Sequence, residues 1–234
     1  MSLPLTAQVS GTPDRELYVE GAGLNGQYQF VQLHFHWGAN SSRGSEHTFA
    51  GTQYPMEMHM VHFNQRYGNA PEAQKRPDGF LVIAVLFEIS KSNNPNFQKI
   101  VDALSRIRTE DTNGVELPSP VVLNDLLPTI SSHYYRYRGS LTTPPCSQSV
   151  TFNILINTVP ISEQQMEQFR QLRTGPQEDS PLLVDNFRPT LSLNGRQVFR
   201  SFPSGGAPLF RGTEGATSVL LFLLAYGGGR SLLS

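Results

Sequence analysis

The sequence predicts an α+β fold that is mainly β. Gly and Pro fall between short segments all along the chain, and six of those segments are rich in aromatic and β-branched residues. Only two stretches carry apolar residues at helical spacing. The expected strands are 26–37, 56–63, 79–88, 134–140, 150–158 and 196–201. The first helix is expected to follow Asn96 as its cap, with Phe97, Ile100, Val101, Leu104 and Ile107 on the face that packs against the sheet. The second opens with Ser162 and Gln165 placed as a capping box and buries Met166, Phe169 and Leu172. From Phe202 onward Gly, Pro and Ser dominate. Residues 1–202 are therefore expected to form one domain and 203–234 a tail outside the core, with a short apolar run from Val219 to Tyr226.

Composition narrows the chemistry. A chain of 234 residues is long enough for one sizeable core, and a net charge of −1 gives no broad basic surface for nucleic acid or anionic lipid. The single cysteine, Cys146, excludes a Cys-rich zinc site, so any zinc has to be held by His or carboxylate. The start, Met1-Ser2-Leu3-Pro4, has neither a basic nor an apolar region, so no export signal is recognised. The apolar run near the end is far shorter than the roughly 20 residues of a spanning helix.

The histidines carry the most specific pattern. In a strand over Val31–Trp37, alternation puts Gln32, His34 and His36 on one face. In Glu57–His62 it puts Glu57, His59 and Val61 on one face and Met58, Met60 and His62 on the other. His59 can then meet the first pair across neighbouring strands. Three imidazoles suit zinc, and a fourth position left to water is the arrangement of a catalytic site. These residues alone also allow hydrogen-bonded core histidines, and the longer motifs decide.

Those motifs are Gln32–Gly38, Gly44-Ser45-Glu46-His47-Thr48 and Glu57–His62, then Tyr134–Pro145, Asn186-Phe187-Arg188-Pro189 and Leu193-Asn194-Gly195-Arg196. In order and spacing they resemble the alpha carbonic anhydrase family over roughly residues 16–202. The resemblance implies a large twisted, mostly antiparallel central sheet with peripheral helices, and a family amino-terminal segment that this chain lacks. It makes His34, His36 and His59 the ligands of Zn2+, with Gln32 and Glu57 orienting His34 and His59. It makes Thr142 and Glu46 catalytic, the threonine hydroxyl donating to the buried carboxylate. Val61, Val82, Leu141, Thr143 and Phe152 line the place where carbon dioxide binds, with Phe152 where the family usually has Trp. His47 and His62 are read as structural.

The implied function is zinc-dependent reversible hydration of carbon dioxide to bicarbonate and a proton, with hydroxide made on the metal as nucleophile. Carbon dioxide, bicarbonate and sulfonamide or anion inhibitors are the implied ligands. The proton-shuttling His of fast members lies in an Asn-Gly-His stretch that is not found here. His133 is not placed in the cleft, so turnover is expected to be slow and buffer-dependent. The family's extracellular branch often reads Thr-Thr-Pro-Pro-Cys and pairs that cysteine with an upstream one this chain lacks, which leaves Cys146 unpaired. With the sequon Asn40-Ser41-Ser42 this points to an extracellular or cell-surface parent. Membrane anchorage stays open, because the Ser204–Ala207 stretch and the apolar run only loosely match a lipid-anchor signal. The rival from another class is a catalytically impaired or inactive carbonic-anhydrase-like binding domain. A zinc protease is disfavoured because no His-Glu-x-x-His helix occurs.

Overall fold

The computed structural model describes residues 6–12, 17–107, 115–175, 177–203, 220–222 and 230–233. Its long strands bury both faces, so the sheet runs through the middle of the molecule with an apolar layer on either side. Among the described residues twelve strands join in one sheet. Side by side, its main path runs β12 (Phe199–Arg200), β9 (Tyr134–Gly139), β10 (Val150–Leu155), β7 (Phe80–Ser90), β6 (Met56–Asn64), β3 (Tyr28–Trp37), β1 (Gln8–Thr12), β14 (Arg230–Leu233) and β8 (Val115–Glu116). Off this path, β2 (Tyr18–Gly21) pairs with β3, β11 (Val159–Ser162) with β7, and β13 (Leu220–Phe222) with β2. The short strands β4 (Thr48–Phe49) and β5 (Thr52–Gln53) form a separate hairpin. Pairing is antiparallel except for β10 and β11, which both run parallel to β7.

One face of β3, β6 and β7 carries Phe35, Trp37, Met58, Met60, Leu81, Ile83, Val85 and Phe87. Helices α2 (Gln98–Ile107) and α3 (Glu163–Arg170) cover this side, while α1 (Ala70–Ala73) follows β6. Phe35 packs between them, its ring centroid 6.4 Å from that of Phe97 and 5.1 Å from that of Phe169. Trp37 packs at a tilt against Phe169 and donates from Nε1 to the Leu183 carbonyl at 2.9 Å. Because side chains alternate, clamping Phe35 and Trp37 on this face holds His34 and His36 on the other.

The capping box of α3 is present, with Gln165 N–H donating to Ser162 Oγ at 3.0 Å and Ser162 N–H to Gln165 Oε1 at 3.3 Å. Met166 and Phe169 are buried on the helix and Leu172 just past its end. The first helix differs from expectation at its start. A 3-10 turn at Pro95–Phe97 precedes α2, and its cap is Asn94, which accepts from Asn96 N–H at 3.0 Å. Pro95 moves the start forward, because a missing N–H and a fixed φ suit the position just after a cap.

Two strand expectations also shift. The segment 196–201 contributes only Phe199–Arg200, because a turn through Asn194 and Gly195, with φ of 49° and 77°, uses the residues before it. The segment 150–158 ends at Leu155, and Val159–Ser162 form a strand of their own. Of the stretch expected as a tail, 220–222 and 230–233 pair with β2, β1 and β8. The rest of 204–234 lies outside the described residues. No described helix is long and apolar enough to cross a membrane.

Candidate metal centre

Strand register brings the histidines together. β3 and β6 pair so that His34 lies opposite His59 and His36 opposite Glu57. The ring centroids are 5.0 Å apart for His34–His36, 5.2 Å for His34–His59 and 4.8 Å for His36–His59. One nitrogen from each ring lies within 4.8 Å of the other two. A bulge in β3 between Phe30 and Gln32 interrupts the alternation, so Phe30 packs on His62 on the far face while Val31 and Gln32 both reach the cleft.

Each imidazole is held through its other nitrogen by an oxygen. His34 Nδ1 donates to Gln32 Oε1 at 2.9 Å, His36 Nδ1 to the Asn186 carbonyl at 2.9 Å, and His59 Nε2 to Glu57 Oε1 at 2.6 Å. Three acceptors fix three tautomers. The lone pairs are thereby left on Nε2 of His34 and His36 and on Nδ1 of His59. His36 Nε2 is buried and has no hydrogen-bond partner, as a nitrogen reserved for a metal would be. Three imidazoles that each turn one nitrogen to a common centre match the donor set of a catalytic zinc site.

The electrostatics favour neutral rings at two of the three positions. Burial, reinforced by the neighbouring imidazoles, pushes His34 well below its ordinary pKa. Burial also lowers His36 despite the nearby Glu46. At His59 the burial effect is outweighed by Glu57, whose charge and hydrogen bond raise the pKa. Glu57 stays well below the usual carboxylate range: burial opposes its ionisation, but His47 and His59 more than offset that.

Glu57 is the hub of the site. Besides His59, its Oε1 accepts from His47 Nδ1 at 2.6 Å, and its Oε2 accepts the backbone N–H groups of Glu46 and His47 at 2.9 and 2.8 Å. The nearby turn places these amides through Gly44, whose φ is 151° and where a Cβ would sit 1.9 Å from the Pro55 carbonyl oxygen. His47 Nε2 in turn accepts from the Tyr137 hydroxyl at 2.7 Å. The Tyr137 ring stacks on Phe152 at 5.2 Å and 11°, and burial pushes its pKa up.

The cleft above the imidazoles is lined by Val61, Val82, Leu141, Thr142, Thr143 and Phe152, together with Val31, Ala70 and Phe80. Its volume is about 230 Å³, enough for a small molecule beside several waters. Glu46 lies 7% exposed beneath it, with Oε1 accepting the Arg188 backbone N–H at 2.8 Å. Its Oε2 has no hydrogen-bond partner and stands 3.6 Å from His36 Nε2 and 4.0 Å from His59 Nδ1. The Thr142–Glu46 hydrogen bond implied by the resemblance is therefore not made in this structure, because the carboxylate turns toward the imidazoles instead. His62 faces the far side, and His133 lies against Phe202 away from the cleft.

Sequence reasoning missed the Asn186 carbonyl, the Arg188 amide and the Tyr137 hydroxyl. Backbone groups leave no mark in residue type. The motifs around all three were visible, so a search for partners within them was the available signal.

An imidazole trio presented by adjacent antiparallel strands at the base of an apolar cleft defines a candidate mononuclear metal site of the three-histidine class. The chain belongs to the eukaryotic-type carbonic anhydrase family, whose profile matches residues 4–202. It is 44% identical to carbonic anhydrase 7 of Mus musculus over 192 residues, covering 81% of this chain and 71% of that protein. It is 43% identical to Mus musculus carbonic anhydrase 15 over 188 residues, covering 78% of this chain and 58% of the relative. Rattus norvegicus carbonic anhydrase 4 is 38% identical over 192 residues, which span 81% of this chain and 62% of that protein. The chain thus spans less than two thirds of two of these relatives. Carbonic anhydrases are zinc enzymes that hydrate carbon dioxide, and the family supports a lyase of that kind.

Proposed function

We propose that this chain holds zinc through His34, His36 and His59 and catalyses the reversible hydration of carbon dioxide to bicarbonate and a proton. The observation that carries the reading is the set of three imidazoles, each with one nitrogen tied to an oxygen acceptor and the other turned to a common centre. When bound, zinc supplies the Lewis acidity that makes hydroxide available from water near neutral pH, as is general for carbonic anhydrases.

The protein's own groups do the rest. Gln32, the Asn186 carbonyl and Glu57 each accept a hydrogen bond from the non-ligand nitrogen and so aim the other nitrogen at the common centre. Val61, Val82, Leu141 and Phe152 give carbon dioxide an apolar wall and exclude competing water. The Thr142 hydroxyl lies on the cleft surface, and the partnerless Oε2 of Glu46 is the acceptor the reading assigns to it. Thr143 lines the path of the departing bicarbonate. Of the described residues lining the cleft, the imidazoles are His34 and His59, both committed as ligands, so the product proton passes to buffer. The Thr-Thr-Pro-Pro-Cys motif further supports an extracellular or cell-surface parent, and the 1–202 stretch serves as the catalytic domain.

The unmade Thr142–Glu46 bond favours a second reading, a catalytically impaired member that keeps its metal. Metal analysis with carbon dioxide hydration rates separates the two in the wild type and in His36→Ala. The enzyme reading expects one zinc per chain and sulfonamide-sensitive hydration, both lost in the variant. Zinc-loaded wild type without such hydration leaves the impaired reading standing.

A further inference from the structure

The far face of the sheet holds a polar pair that the proposed reaction does not use. Alternation along β9 and β10 turns Tyr137 and Phe152 to the cleft, and turns Arg136 and Asn153, which lie opposite one another, away from it. Arg136 Nε donates to Asn153 Oδ1 at 2.7 Å, and Nη1 donates to the Ala22 carbonyl at 2.7 Å. The guanidinium also lies 5.2 Å above the Tyr134 ring.

Two donors of this pair remain unmet. Arg136 Nη2 and Asn153 Nδ2 are buried and have no acceptor, and Asn153 is only 1% exposed. No described carboxylate pairs with Arg136. Burial lowers its pKa, and the groups that oppose this are the Tyr134 and Tyr28 phenols. A half-buried guanidinium whose Nη2 is shut off from solvent with neither counter-charge nor acceptor is costly, and such groups in native proteins are met by an ion or water.

We propose that Arg136 and Asn153 form an anion site on the far face of the sheet that takes a small monovalent anion such as chloride. The ion accepts from Nη2 and Nδ2 together and offsets the guanidinium charge. Nε and Nη2 share one edge of the planar guanidinium, so the acceptor sits on the Asn153 side. The two side chains are already tied at 2.7 Å, and so tight a setting suits a halide better than a bulky organic anion. This site stands apart from the histidine cluster and does not depend on the reaction proposed for it.

The test compares melting temperatures in chloride and in gluconate at equal ionic strength, for wild type, Asn153→Asp and Arg136→Met. In Asn153→Asp the first carboxylate oxygen keeps the bond from Nε and the second receives Nη2, giving a built-in bidentate counter-ion. Wild type is expected to melt several degrees higher in chloride, with a saturating concentration dependence. Asn153→Asp should melt above wild type in gluconate and lose the chloride response, and Arg136→Met should lose the response as well. The metal site is common to all three proteins, so anion binding there cancels in the comparison. A wild-type melt indifferent to chloride would overturn the proposal. So would a response retained in both variants, or an Asn153→Asp protein that melts below wild type in gluconate.

Discussion

Glu57→Gln keeps the shape of the buried side chain and removes one acceptor. In the wild type a single carboxylate accepts four hydrogen bonds, two from imidazoles at 2.6 Å and two from backbone amides at 2.9 and 2.8 Å. A carboxamide has one oxygen, and its NH2 has to face one of these two pairs of donors. The backbone N–H groups cannot reverse their roles, so the amide oxygen turns to them and the NH2 faces the imidazoles. His59 then accommodates it by moving its own proton from Nε2 to Nδ1, the nitrogen that faces the other two ligands. Loss of such an orienting partner costs a metal site about 10–100-fold in affinity, or about 1.4–2.8 kcal/mol. Competition for zinc against a chromophoric chelator measures this directly. An affinity within a factor of two of wild type would refute the claim that Glu57 sets the His59 tautomer.

Other perturbations probe the scaffold. Phe35→Ala removes the ring between Phe97 and Phe169 and should cost about 3–5 kcal/mol in urea unfolding; a loss below about 1 kcal/mol would mean that this packing is not what fixes the histidine face. Ser162→Ala removes both the side-chain cap of α3 and its half of the capping box, and should cost about 1 kcal/mol, with an unchanged midpoint counting against the cap. His62 is buried, which lowers its folded pKa from an ordinary 6.5 to about 4. The unfolded chain therefore takes up this proton first, and the stability from keeping His62 neutral is complete above pH 6.5 and lost as pH falls toward 4. The total is about 3 kcal/mol, and His62→Gln should flatten the fall in stability over that window by a similar amount. An equally steep fall in the variant would assign the pH dependence to other groups.

How far the sequence could be read depended on how local the information was. Alternation in 32–37 and 57–62 shows directly which side chains share a face, and the strand register then sets His34 opposite His59. The apolar stripe of α2 and the capping box of α3 are local in the same way. What escaped was set by chain segments far apart. The carbonyl that orients His36 belongs to Asn186, 150 residues away, and a backbone oxygen has no signature in composition. The Pro95 turn displaced a helix start by two residues, because a 3-10 turn and an α-helix share the same early spacing. The β3 bulge, which brings Val31 into the cleft beside Gln32, depends on pairing with β6 and leaves no trace in β3 alone. The apolar lining at Ala70 and Phe80 is likewise contributed from beyond the histidine strands.

The central claim is that the three imidazoles hold a zinc that works on carbon dioxide, with no further imidazole among the described residues lining the cleft to carry the proton away. Stopped-flow hydration by the zinc-loaded chain, at increasing imidazole buffer and constant ionic strength, tests it most directly. The predicted result is a sulfonamide-sensitive rate that climbs with buffer concentration and then saturates. A folded protein carrying one zinc whose hydration rate does not exceed that of buffer alone would contradict it.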